Sequence, residues 1–173
     1  MRVLFVRHAE ADELGHGIPG EDEKRPLTRK GRRQCEKLAA ALEVLELKPR
    51  LILSSPLVRA SETAEILSQN LKRAPEPIKT RSLLPAASWS DLKREIARHG
   101  DVLAGKRAKA AVVIVVGHQP NLAEMVAVAL TGMVSEFKIA KGGCVGLEWN
   151  DDKPLGDADL FIALNEVMIA QLI

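Results

Sequence analysis

Apolar residues fall along this chain in two rhythms. Unbroken apolar runs occur at Val3–Val6, Leu51–Leu53 and Ala111–Val116, each bounded by polar or turn-forming residues. Runs of that length, rich in β-branched residues, predict buried strands. Between them the apolar positions recur every three or four residues, which predicts helices with one buried face. Such faces are formed by Cys35, Leu38, Ala39, Leu42 and Leu45, by Ala60, Ala64, Leu67 and Leu71, by Leu92 and Ile96, and by Leu122, Met125, Val126, Ala129 and Leu130. Shorter runs at Ile78–Thr80, Val145–Trp149 and Leu160–Leu164 predict three further strands.

Local chemistry sets the expected boundaries. Thr28 suits the N-cap of the first helix, and Gly31 in its first turn suits close packing. Pro49 is expected to stop that helix region. Ser55 fits an N-cap and Pro56 a first helical position, which places Arg59 in or just past the first turn. Pro75 and Pro77 bracket a turn, and Leu83-Leu84-Pro85 leads into a loop. Ser88 and Asp91 match a capping box for a helix ending near His99-Gly100, with His99 exposed at its C-terminus. Asn121 suits an N-cap, and Gly132 closes the same helix. Lys141-Gly142-Gly143 and Asn150-Asp151-Asp152 read as turns. The apolar tail Val167–Ile173 packs on the core or against another chain.

Composition narrows the function. At 173 residues and 46% hydrophobic content, the chain suffices for one globular domain, 1–173. Only 3% of residues are aromatic and none is tyrosine, which leaves little for base stacking on single-stranded nucleic acid. A net charge of +2 gives no strong attraction to nucleic acid or membrane. The basic cluster Arg29, Lys30, Arg32 and Arg33 reads as a solvated helix face. Cys35 and Cys144 fit no metal or redox spacing, and Cys35 reads as a small core residue. No signal peptide is legible and the longest apolar run, Ala110–Val116, is too short to span a bilayer, so the expected location is the cytoplasm.

The chemistry lies where the strands end. The first strand runs into Arg7-His8, the second leads to Arg59, and the third runs into Gly117-His118. In an open α/β sheet, ligands bind outside the carboxyl ends of the strands. If the strands are parallel neighbours, two guanidinium groups and two imidazoles share one pocket. Arginine forks match phosphate oxygens, and a neutral imidazole is a good nucleophile toward phosphorus. Phosphoryl transfer asks mainly for positioning and charge stabilisation, which such a set provides. Residues 11–25, rich in Gly, Asp and Glu, read as a long surface loop at the edge of this site, and His16 within it carries no partner signal.

In this order, Arg7-His8 after an N-terminal strand, Ser55-Pro56-x-x-Arg59 and Gly117-His118 resemble the histidine phosphatase, or phosphoglycerate mutase-like, superfamily. Arg7-His8-Ala9-Glu10-Ala11 and Arg25-Pro26-Leu27-Thr28-x-x-Gly31, in a chain this short, look most like its SixA-like branch of protein phosphohistidine phosphatases. The resemblance extends to about Leu130. It implies a three-layer α/β/α sandwich with a mostly parallel sheet. It implies His8 as a transiently phosphorylated nucleophile, and Arg7, Arg59 and His118 as holders of the phosphoryl oxygens. It implies no metal or organic cofactor, and a phosphorylated protein substrate such as a His-containing phosphotransfer domain.

Two positions depart from the family pattern. Ala9 stands where the commoner motif has glycine, a cost if the backbone there needs positive φ. Leu83-Leu84-Pro85 falls where many relatives carry a glutamate as general acid, and Glu10 is a substitute on position alone. The competing expectations are a small-molecule phosphomonoesterase of the same superfamily and a phosphate-binding module without turnover. A metal site on His8 and His118 is weaker, since no third ligand stands at a recognisable spacing.

Overall fold

The computed structural model describes residues 1–104, 111–149 and 156–173. The turn read at Asn150-Asp151-Asp152 and the start of the apolar run at Ala110 lie outside the described residues. Strands are β1 (Arg2–Arg7), β2 (Pro49–Ser54), β3 (Ile78–Lys79), β4 (Val112–Gly117), β5 (Cys144–Glu148) and β6 (Asp159–Leu164). Helices are α1 (Arg29–Val44), α2 (Val58–Asn70), α3 (Trp89–Arg98), α4 (Gly100–Leu103), α5 (Asn121–Thr131) and α6 (Glu166–Leu172).

The sheet order is β3-β2-β4-β1-β5-β6. The pairings β3–β2, β2–β4 and β4–β1 are parallel, whereas β5 runs antiparallel to β1 and to β6. β1, β2 and β4 are buried on both faces, which is why each reads as an unbroken apolar run. Their alternate residues feed two cores, because successive side chains leave opposite faces of a strand. Val3, Phe5, Leu51, Leu53, Val113 and Val115 pack with Leu92 and Ile96 of α3 and Leu122, Met125 and Val126 of α5. Leu4, Val6, Ile52, Ile114 and Val116 pack with Leu38 and Leu42 of α1, Ala60, Ala64 and Leu67 of α2, and Ile169 of α6. The result is the three-layer α/β/α sandwich with a mostly parallel sheet that the sequence resemblance implies. Each buried Leu, Ile or Phe in these layers contributes about 1.5–3 kcal/mol.

Several element ends differ from the sequence reading. The first helix stops at Val44, not at Pro49, because Glu46 turns left-handed (φ 55°) and Leu47 N–H bonds back to Leu42 O; Pro49 opens β2. α2 starts at Val58 with Leu57 at its N-cap, so Ser55 and Pro56 precede the helix. Ser55 Oγ instead accepts Leu57 N–H at 3.3 Å, a side-chain turn that delays the helix. Pro120, not Asn121, caps α5, and the Asn121 side chain bonds Ala87 O. His99 is half-buried and lies 3.4 Å from Glu95 Oε1. The tail forms α6, unmarked in the sequence reading, capped by the Asn165 side chain. Its Ile169 joins the core while Val167, Met168 and Ile173 are exposed. The strands begin and end within one or two residues of the apolar runs, and three helix ends fall as read. Thr28 Oγ1 accepts Gly31 N–H, Ser88 and Asp91 form a reciprocal capping box, and Gly132 closes α5 at φ 75°.

Candidate active site

Register explains the convergence of the catalytic candidates. Arg7 pairs with Gly117, and Ser54 and Val6 both pair with Val116, so β1, β2 and β4 end at one level. His8 N–H bonds Gly117 O at 3.0 Å and Ser55 N–H bonds Val116 O at 2.9 Å, which holds the three departing segments together. His8 and His118, each one residue past its strand, stand with ring centroids 5.2 Å apart. Arg59, in the first turn of α2, reaches the same place. Arg7, His8, Arg59 and His118 all line one cavity of about 190 Å³ at the carboxyl edge of the sheet. A basic side chain in a helix's first turn opposes the macrodipole, which favours an anion there.

The backbone after β1 fixes His8. Its Nδ1 lies 2.8 Å from Ala9 O, an acceptor, so Nδ1 carries the proton and Nε2 keeps its lone pair. Burial pushes the His8 pKa down to about 4, with Arg59, Arg7 and Lys141 adding to the depression. His8 is therefore neutral near pH 7, with the lone pair on Nε2 available. Ala9 resolves its own departure from the family pattern. It is not among the residues with positive φ, its side chain is fully buried, and its N–H donates to Thr63 Oγ1 at 3.2 Å. Thr63 Oγ1 in turn donates to Arg59 O at 2.7 Å, tying the His8 turn to α2.

His118 is set by Ser55, a partner that the sequence reading assigned to a helix cap. Ser55 Oγ lies 2.8 Å from His118 Nε2 and already accepts Leu57 N–H, so its own proton is free for the imidazole. His118 Nδ1 is buried without a partner among the described residues. Burial, then His8 and Arg59, push the His118 pKa down to about 3. In the tautomer in which Ser55 donates to Nε2, the neutral ring carries its hydrogen on Nδ1 and can donate it.

Among the described residues, charge in the cavity comes from four cations, Arg7, Arg25, Arg59 and Lys141, against two carboxylates, Glu13 and Asp22. Arg7 Nη1 donates to Ile139 O at 2.9 Å while its buried Nε has no partner among the described residues. Burial lowers the pKa of both Arg7 and Arg59, without threatening their charge. Asp22, in a 3₁₀ turn (Asp22–Lys24), bonds Arg25 at 2.7 Å and Arg59 at 3.1 Å, and these cations hold its carboxyl below the usual range. The surface loop of residues 11–25 thus closes over the site and supplies Glu13, His16, Asp22 and Arg25 to it. Among these, only Arg25 belongs to a sequence motif, Arg25-Pro26-Leu27-Thr28-x-x-Gly31; the others carry no spacing signal, because a loop places residues by its path and not by a period.

Glu10 is not a stand-in for the missing acid. It pairs with Lys30 Nζ at 2.9 Å and accepts from Thr28 Oγ1 at 3.0 Å, outside the cavity. The Lys30 and Thr28 bonds lower its pKa. At Leu83-Leu84-Pro85, Leu83 is buried and Pro85 contributes an aprotic wall to the cavity. Among the described residues, no group of three or more His, Cys, Asp or Glu could hold a metal ion. No helix among them is long and apolar enough to cross a membrane.

Known proteins share this plan. The chain is 35% identical over 151 residues to an uncharacterized protein of Picosynechococcus sp., covering 85% of this chain and 84% of that one. Its fold matches the protein histidine phosphatase SixA complexed with tungstate, with a TM-score of 0.78 and 20% identity over 100% of both chains. It also matches the alpha-ribazole phosphatase of Shigella flexneri, with a TM-score of 0.68 and 20% identity over 94% of this chain and 96% of that one. The model of the histidine phosphatase superfamily (branch 1) matches residues 3–99, from the strand that delivers Arg7 and His8, past the helix that delivers Arg59, to the end of α3. By that match the chain belongs to the histidine phosphatase superfamily.

Proposed function

We propose that the chain, acting as a single histidine phosphatase domain over 1–173, is a cytoplasmic phosphohistidine phosphatase that dephosphorylates a protein. Membership of the family supports phosphatase chemistry. In this reading His8 Nε2 attacks phosphorus in line with the leaving group and carries the phosphoryl group as an intermediate. Arg7 and Arg59 neutralise the equatorial oxygens, and neutral His118 donates to them from Nδ1. Water then releases phosphate from His8. The protein groups supply all the charge this sequence of steps needs, so the proposal requires no metal or cofactor.

The observation that carries the substrate class is the wall at Pro85. Cleaving a phosphoserine expels an alkoxide, which needs a proton at the ester oxygen. Cleaving a phosphohistidine expels an imidazole, whose conjugate acid has a pKa of about 6.5. A cavity without a carboxylic acid at that wall suits the second. A groove of about 470 Å³ shares Arg7 and Gln119 with the cavity and is lined by Pro120, Ala123 and Phe137, which supports a polypeptide as leaving group. A His-containing phosphotransfer domain is the corresponding substrate.

The test is kcat/KM for a phosphohistidine peptide against a phosphoserine peptide of the same sequence. General acid catalysis is worth about 10²–10⁴, which sets the expected preference for phosphohistidine. Equal values, or a preference for phosphoserine, would give the lead to a small-molecule or phosphoester phosphomonoesterase.

A further inference from the structure

The cavity leaves one chemical task unassigned: delivery of a proton to the departing group. Its titratable side chains can be taken in turn. His8 and His118 are neutral at pH 7, and His8 is the nucleophile. Asp22 is ionised between Arg25 and Arg59. Glu13 lies 3.8 Å from Arg25 and 3.6 Å from Lys141, engaged by two cations. Guanidinium groups do not give up protons, and a lysine ammonium is a poor acid at neutral pH. The remaining group is His16. It lines the same cavity, is itself exposed, and sits in a turn in which its N–H bonds Glu13 O at 3.1 Å. An imidazole is the side chain suited to exchange protons near neutrality.

We propose that His16 is the proton donor to the leaving group, giving its proton to the far ring nitrogen of the substrate phosphohistidine as the P–N bond breaks. This rests on the phosphohistidine reading above. The His8 Nε2 lone pair forms the new N–P bond. The electron pair of the old P–N bond returns to the substrate ring nitrogen that held phosphorus. The proton from His16 completes the second ring nitrogen, so a neutral imidazole departs. His16 is left neutral at the exposed mouth and regains its proton from water. An ester oxygen is bonded directly to phosphorus, beside the phosphoryl oxygens that Arg7 and Arg59 hold in this reading. The far nitrogen of an imidazole lies one ring further out, where an exposed residue of the covering loop can serve it.

The experiment compares wild type with H16Q and H16A on a phosphohistidine peptide and on 4-nitrophenyl phosphate, whose phenolate leaves without a proton. H16Q should lose about 10²-fold in kcat/KM on the phosphohistidine peptide, at the lower end of general-acid effects. Phosphorylation of His8 by 4-nitrophenyl phosphate should stay within about twofold of wild type, since no proton transfer is removed. Free imidazole should restore part of the H16A loss on the peptide. Equal losses on both substrates would assign His16 to loop geometry or phosphate binding and overturn the proposal. A wild-type preference for phosphohistidine that H16Q leaves intact would overturn His16 as donor while sparing the function. A wild type with no such preference would overturn the phosphohistidine reading and this inference with it.

Discussion

Arg59 spends its guanidinium on Asp22: Nη1 donates to the Asp22 carbonyl at 2.6 Å and Nη2 to its carboxylate at 3.1 Å. In this closed arrangement an acidic side chain of the covering loop occupies the donors that a phosphoryl group needs. Under the proposed function Asp22 would then compete with the phosphoryl group as well as brace Arg59. D22N should tighten competitive inhibition by inorganic phosphate about threefold to tenfold, the scale of removing one partly solvated charge contact. Unchanged or weaker inhibition would show that Asp22 orients Arg59 more than it competes.

Arg59 should matter more to the transition state than to binding. A transition-state arginine in nucleotide hydrolysis is worth about 10³–10⁵ in rate. R59A should lower kcat on that scale with a smaller change in KM, and R59K should not rescue it, because lysine lacks the planar fork. Full activity in R59K would remove the bidentate role.

His8 should carry the phosphoryl group. Brief incubation with labelled phosphohistidine peptide, quenched without acid, should leave label on wild type and none on H8A. Label retained in H8A at the wild-type level would move the nucleophile elsewhere.

The parts of this molecule legible in the sequence are those governed by a local rule. The unbroken runs at Val3–Val6 and Ala111–Val116 mark strands buried on both faces, and the capping box at Ser88 and Asp91 is local chemistry. Arg7, His8, Arg59 and His118 were legible because each stands at a strand end or a helix start, where topology concentrates ligands. Ser55 was misread for a physical reason. Its hydroxyl is a good cap in isolation, but His118, 63 residues away, supplies a partner that no local rule contains. Asp22 and His16 reach the site only because the loop folds back, with Asp12 N–H bonding Pro26 O and Ala11 bridging Leu27.

Gly31 is required by contact and not by conformation. A Cβ there would stand 2.0 Å from Glu10 O, the carbonyl that also accepts Thr28 N–H. G31A must push α1 away from the turn that follows His8. Overpacking of this kind costs about 1–3 kcal/mol. Urea denaturation should show that loss, and kcat should fall with it because the displaced segment carries His8. Wild-type stability in G31A would mean that the turn yields freely.

The two imidazoles make both activity and stability depend on acid. Each is buried, His8 with a pKa of about 4 and His118 of about 3, against about 6.5 in an unfolded chain. For activity, the nucleophile fails only when His8 is protonated, so the acid limb of kcat/KM should fall near pH 4 and not near 6.5. For stability, the unfolded chain binds protons as pH drops through 6.5 while the folded chain does not, so unfolding becomes progressively easier. The native state is fully supported above about pH 6.5 and loses that support as pH falls to about 4 for His8 and about 3 for His118. Unfolding free energies measured from pH 7 to pH 4.5 should decline in wild type and decline less steeply in H8Q, which removes one of the two titrating groups. An identical slope in H8Q would mean that His8 titrates alike in the folded and unfolded chains, and that its neutrality at the site has another cause than burial.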